Sequence, residues 1–243
     1  MTFLADKPSV ELLVIFIPNF LSYPEGKLTF DLISFLIYIV PRLYIFIAFG
    51  DFFYEDFRIS SVYVFTRKDN RVRWFIDKLF QISKDLVFYF VIITVTVVIA
   101  ALVNNLPVLS VQHFLLVCTV SVVLNVIVIL IVILLTNILS LYIMNAEVSL
   151  FITLLVYTFM YFPAFIKLSD SLQHLLIKIN PVLQAVLVWH NDGFLQKYLK
   201  PLDAPVIPGF NFYWSLLILG MYLVLIILAG IKMIKTVEII DRK

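Results

Sequence analysis

The chain has 243 residues, of which 63% are hydrophobic and 14% charged, with a mean hydropathy of +1.05 and a formal net charge of +2. Soluble globular domains are about half apolar, so this composition excludes them and indicates an all-α polytopic membrane protein. A net charge this small gives no footprint for nucleic acid, and the single cysteine, Cys118, lies in an apolar run and can form no internal disulfide.

Residues 1–27 carry acidic residues and a broken apolar run in place of a basic leader with a small-residue cleavage site, so no signal peptide is read there. Within them Val10 to Leu21 is interrupted by Pro18 and Asn19. It is too short to span and suits a re-entrant or interfacial piece. The first expected span is 28–50, with Asp31 near its start and Pro41-Arg42 inside it. Arg42 lies about 12 Å from the end of that span at 1.5 Å per residue, within snorkelling reach.

Residues 51–84 form a charged island that holds seven of the eighteen Lys and Arg. By the positive-inside rule it marks the cytosolic side. Asp69-Asn70 can cap an amphipathic helix from Arg71 to Ser83, expected to lie at the membrane surface. On a 100° wheel Val72, Phe75, Ile76, Leu79 and Phe80 share one face, and Arg73, Asp77, Lys78, Gln81 and Lys84 the other. Trp74 projects from the middle of the polar face. It is either an interfacial anchor or, with Arg71, Arg73 and Lys78, an aromatic contact for a cytosolic partner.

Between Asp85 and Lys167 the only full charge is Glu147. At about 20 residues per crossing this run holds three spans, 85–104, 114–137 and 148–167, divided at Asn104–His113 and at Met144–Glu147. The segment 168–209 is too polar to span. Its part from Ser169 to His190 reads as a surface helix bent at Pro181, and the stretch after His190 reads as a loop rich in turn formers. A last span, 210–231, leads into the tail 232–243. With the island inside, the N-terminal segment and 168–209 lie outside and the C-terminus inside. If Val10 to Leu21 also crossed, the count would be six instead of five.

No G-x-x-x-x-G-K-[ST], H-E-x-x-H, C-x-x-C or G-x-S-x-G motif occurs. His113, His174 and His190 lack ligand spacing and read as surface or interfacial residues. The polar positions inside or beside the spans are Arg42, Asn125, Asn137 and Glu147. Packing glue is the simpler reading for the amides, a solvated turn for Glu147, and a transport path the sharper alternative.

Gly50, Asp51, Glu55, Asp56 and Arg58, then Tyr63, Phe65-Thr66-Arg67, Arg71, Trp74 and Lys78, stand between two spans. This cluster resembles the permease subunits of type 2 ABC exporters, nearest the divergent kind associated with bacteriocin and lantibiotic export or immunity. The resemblance implies that 51–84 is a coupling segment docking in a cleft of a separate ATPase. Glu55, Asp56, Arg58, Arg67, Arg71, Arg73, Trp74 and Lys78 would then be the partner-binding residues. It further implies that ATP and Mg belong to that partner, with no cofactor and no catalytic residue in this chain. A second permease copy or a different permease would complete the complex, surrounded by membrane lipid. An outer surface helix is implied too, which Ser169 to His190 matches. The family has six spans and a cytosolic N-terminus, whereas here the first span is replaced by the broken Val10 to Leu21 run. The rival reading is a non-transporting immunity or sensor protein of the membrane that binds a partner through 168–209.

Overall fold

Open-ended apolar runs of this length can satisfy their backbone in lipid only as helices, and helices are what form. The computed structural model describes residues 9–16, 28–57, 68–165, 169–199 and 206–236, and all their regular structure is helical. In chain order the elements are α1 (Val10–Phe16), α2 (Leu28–Phe49), α3 (52–57), α4 (Lys68–Val103), α5 (Val111–Ile143) and α6 (Ala146–Phe159). They continue with α7 (Phe162–Phe165), α8 (Asp170–Ile179), two 3₁₀ turns (Val182–Ala185 and Leu187–Trp189), α9 (Gly193–Leu199) and α10 (Phe212–Thr236).

Among the described residues three helices, within α4, α5 and α10, are long and apolar enough to cross a membrane. They mark a membrane protein. α5 is the central one: 67% of its most apolar stretch is buried, against 28% for α4 and 22% for α10. Residues 128–134 of α5 are buried without interruption, so it is apolar on every side because every side meets another element.

Two ends of the bundle can be told apart. One, the charged end, gathers residues 50–57, the first turns of α4, the α5–α6 turn and the last turn of α10. At the other, the far end, the α1 backbone meets the α4–α5 turn through Val10 N–H to Pro107 C=O, 3.2 Å. The described part of the N-terminal run, α1, is buried at the far end; its remainder, 17–21, lies outside the described residues.

The predicted surface helix over 71–83 is not a separate element. α4 runs unbroken for 36 residues, about 54 Å at 1.5 Å per residue, against a hydrocarbon core of about 30 Å. No glycine or proline interrupts 68–103, so nothing stops the helix at the membrane surface. In the span Leu86, Phe90, Thr94, Val97 and Ala101 face inward. In the first turns the buried side is rotated from that seam toward α3, so that Trp74, Phe75 and Ile82 are buried and Ile76 and Phe80 exposed.

The expected span 148–167 is not one continuous helix. α6 has 14 residues, about 21 Å, and a turn at Met160–Tyr161 ends it just before Pro163. The expected helix over 169–190 stops at Ile179, because Asn180 precedes Pro181 and is held extended. Residues 181–190 then fold as 3₁₀ turns that are buried throughout, wedged against α5, α1 and α10, instead of lying along the surface. The supposed loop after His190 contains α9, whose Leu195, Tyr198 and Leu199 are buried.

Side-chain amides close the helix ends that these breaks create. Gln184 Nε2 donates to the carbonyls of Ile177, Lys178 and Asn180 at 3.2, 3.0 and 2.8 Å, capping α8. Asn180 Nδ2 donates to Met160 C=O at 2.6 Å, and Gln173 Nε2 to Pro163 C=O at 2.9 Å. At the charged end Asn137 does the same for the break between α2 and α3: Nδ2 donates to Phe49 C=O at 2.7 Å, and Oδ1 accepts from Phe53 N–H at 2.7 Å. Gly50 fills that break because a Cβ there would lie 2.6 Å from Phe46 O and 2.9 Å from Leu150 Cδ1. Gly230 likewise lets α10 approach α4, where a Cβ would meet the Phe75 ring at 2.6 Å.

Asn137→Leu strands a buried carbonyl and a buried N–H, each costing about 1–3 kcal/mol. The expected result is a loss of about 2–5 kcal/mol, read as a lowered denaturation midpoint of the detergent-solubilised protein.

Candidate functional site

The charged end is where the sequence places its partner-binding residues, and the first turns of α4 project there beyond the length a bilayer needs. α3 lies across them. Phe53, fully buried, packs its ring on Trp74 and Phe75 at centroid distances of 5.4 and 5.6 Å. Trp74 Nε1 donates to Asp56 Oδ2 at 2.5 Å, and Lys78 Nζ reaches the same oxygen at 3.3 Å. Lys78 also sits 4.4 Å above the Phe52 ring. Arg71 donates to Ile234 C=O at 3.3 Å, which ties the start of α4 to the last turn of α10.

This geometry corrects the expected placement of the tryptophan. Trp74 is only 8% exposed: its indole is covered by α3 and its N–H is spent on Asp56. The wheel drawn over 71–84 missed this because Trp74 lies on the side of α4 away from the span's inward face, and α3, packed across that side, is what covers it. Of the other expected partner contacts, Asp56, Arg71 and Lys78 hold the segment to the bundle, while Glu55 and Arg73 are exposed. Arg58 and Arg67 lie outside the described residues. Asp51, Tyr54 and Glu55 line an open cleft with Met144, Asn145, Ala146 and Glu147. Glu147, in the first turn of α6, is exposed.

The polar positions within the helices are engaged in packing. Arg42 is buried and its guanidinium bonds Asn125 Oδ1, instead of snorkelling to the charged end. Asn125 Nδ2 donates to Ser121 C=O one turn back at 2.8 Å. The hydroxyls of Thr94, Thr136 and Thr153 each return to the carbonyl four residues earlier. These are local satisfactions of the kind apolar surroundings demand.

Two buried polar clusters at the far end were not foreseen. Glu11 is fully buried, and its Oε1 accepts the N–H groups of Leu109 and Ser110 at 2.8 and 3.0 Å. Ser110 is the N-cap of α5 and makes no cap bond with its own side chain. Glu11 therefore supplies from α1 the carboxylate that a capping box would place within the helix, and the helix dipole favours it there. The hydroxyl of Tyr198 lies 3.5 Å from the same oxygen, and burial together with the Glu11 charge pushes that phenol up to about 12. No spacing in the sequence links residues 11, 110 and 198.

The second cluster contains His190, expected at a surface and found fully buried. Its Nε2 lies 2.9 Å from Ser215 Oγ, and Ser215 donates to Gln184 Oε1 at 2.9 Å. Gln184 already spends its amide N–H groups on carbonyls, which fixes the direction of the chain. The serine proton points at Gln184, so the imidazole donates to the serine. That is the reverse of a base activating a nucleophile. Burial lowers the His190 pKa to about 3. Among the described residues no group of three or more His, Cys, Asp or Glu is placed to hold a metal ion.

Comparison with protein-family models, with curated proteins and with solved structures finds no match in any of the three. The reading of the charged end thus rests on its own chemistry.

Trp74→Ala removes a buried aromatic and is expected to cost about 3–5 kcal/mol, whereas Trp74→Phe, which keeps a ring in the site and drops the hydrogen bond to the Asp56 carboxylate, costs less, about 1.5–3 kcal/mol; chemical denaturation in detergent ranks the two. His190 gives a pH signature of definite sign. The unfolded chain takes up this proton below the ordinary histidine value of 6.5 and the folded one only near 3. Stability from this group is complete above pH 6.5 and falls by about 1.4 kcal/mol per unit of pH below it. Unfolding midpoints measured across that range should drop more steeply in the wild type than in His190→Gln.

Proposed function

We propose that the chain is the membrane subunit of an ATP-driven exporter, powered by a separate ATPase that docks at the charged end. The observation that carries this reading is the fixing of α3 and the projecting turns of α4 to α5 and α10. Asn137 ties α3 to α5, Asp56 ties it to α4 through Trp74 and Lys78, and Arg71 ties α4 to α10. A force applied to this segment reaches α4, α5 and α10 together, as coupling to an external motor requires. α2 and the α6–α7 pair complete five crossings in this reading, with the charged end in the cytosol on the positive-inside rule.

ATP and Mg are the partner's, and a second copy or a different permease completes the pathway. The substrate class is a bacteriocin-like peptide or another amphiphile, in keeping with the resemblance of 50–84. The buried tryptophan shifts the docking role within the segment. Glu55 and Arg73, exposed on α3 and α4, replace Trp74 as the partner contacts, and Trp74 becomes the post that keeps them in place.

The test is affinity purification from native membranes. A nucleotide-hydrolysing subunit is expected to copurify with the wild type and to be lost at least about tenfold, or about 1.4 kcal/mol, from the double variant Glu55→Lys/Arg73→Glu. An unchanged denaturation midpoint in that variant shows that the bundle is intact. No ATPase with the wild type, or equal recovery from the variant, overturns the reading.

A further inference from the structure

α8 is turned the wrong way for a helix that serves the core. Its apolar residues Leu172, Leu175 and Ile179 fall on one stripe, yet they are 46%, 54% and 44% exposed. The side turned to the protein carries Gln173 and Ile177, at 1% and 0%. On a 100° wheel the leucine stripe lies more than a right angle from that buried side. Gln173 is held there by its bond to Pro163 C=O at 2.9 Å, so the polar residue is inside and the leucines are outside.

The surroundings say what covers them. Trp214 Nε1 donates to Lys178 C=O at 2.9 Å, which sets the end of α8 level with the first turn of α10. That turn presents Tyr213 and Trp214, 78% and 36% exposed, the aromatic pair that favours the level of lipid headgroups. Below it α10 exposes Leu217 and Met221, and on the other flank the α6–α7 junction exposes Phe159 and Phe162. Asn180 joins α8 to that junction through Met160 C=O at 2.6 Å. The leucine stripe therefore continues an apolar belt whose other members lie on or beside helices fit to cross the membrane.

We infer that α8 is an in-plane membrane helix that lays Leu172, Leu175 and Ile179 among the phospholipid acyl chains of the leaflet at the far end. The amphipathic pattern supplies the apolar side, and the bonds of Gln173, Asn180 and Trp214 hold the helix at that depth. The inference needs only that α4, α5 and α10 cross a bilayer. It stands whether or not an ATPase binds at the charged end.

Nitroxide scanning in vesicles of phosphatidylcholine and phosphatidylglycerol tests it. Single cysteines at 172, 175 and 179, in a Cys118→Ala background, are compared with Val95→Cys on the exposed face of α4 and His174→Cys on the polar side of α8, about 100° or more from each of the three. Oxygen collision is expected to exceed that of a water-soluble nickel complex several-fold at the three α8 positions and at 95, with the order reversed at 174. Nickel access at 172, 175 and 179 equal to that at 174 places the stripe in water and overturns the inference. Low access to both reagents places it under protein, a second copy of this chain included, and overturns it as well.

The unsubstituted protein gives a second measurement. Trp74 and Trp189 are 8% and 0% exposed, so lipids brominated near the headgroup should quench the Trp214 share of the emission more than lipids brominated near the chain end. Equal quenching by both, or none, contradicts the depth assigned to α8.

Discussion

A backbone carbonyl or N–H in an apolar medium must find a partner inside the protein, and this chain meets that demand with side-chain amides. At several helix ends within the bundle an asparagine or glutamine completes the hydrogen bonding: Asn137 where α2 gives way to α3, Asn180 and Gln173 where α6 and α7 end, Gln184 where α8 ends. Gln196 closes the last of these segments by donating to His190 C=O at 2.8 Å. Irregular backbone is tolerated in such surroundings only where protein encloses it. The burial of residues 181–190 is the direct result.

The same constraint explains the two far-end clusters. Glu11 serves N–H groups at the start of α5 that no local side chain reaches, and the Gln184–Ser215–His190 chain spends its donors in one direction. Both are fully enclosed, so each contributes to how elements distant in sequence are joined. Neither has the exposure or proton placement that catalysis would use. α1, the 3₁₀ turns, α9 and α10 are held as one unit with the α4–α5 turn, while α3 and the projecting part of α4 are held as another at the charged end.

How much of this could be read from residues alone depended on the range of the interaction. Apolar runs located α4, α5 and α10 because composition over about 20 residues reports burial or lipid without reference to neighbours. The termination of α8 before Pro181 was legible as a bend but not as an end, since helical spacing persists through Leu183. α9 was hidden by the turn formers on either side of it. Trp74 was misplaced because a wheel assumes one buried side, whereas α3 covers a second side of α4 through contacts that no spacing within 71–84 encodes. The contacts of Glu11 and Asn137 bridge nearly a hundred residues, and no local pattern encodes them.

The continuity of α4 has a mechanical meaning. A helix of 36 residues with no proline, no glycine and no side chain breaking its ladder is a stiff rod from the clamp of α3 to the turn that Glu11 holds. On a length of about 54 Å at 1.5 Å per residue, a tilt of about 5° at one end moves the other by about 5 Å. The two ends of this molecule are therefore not independent surfaces but opposite arms of one lever.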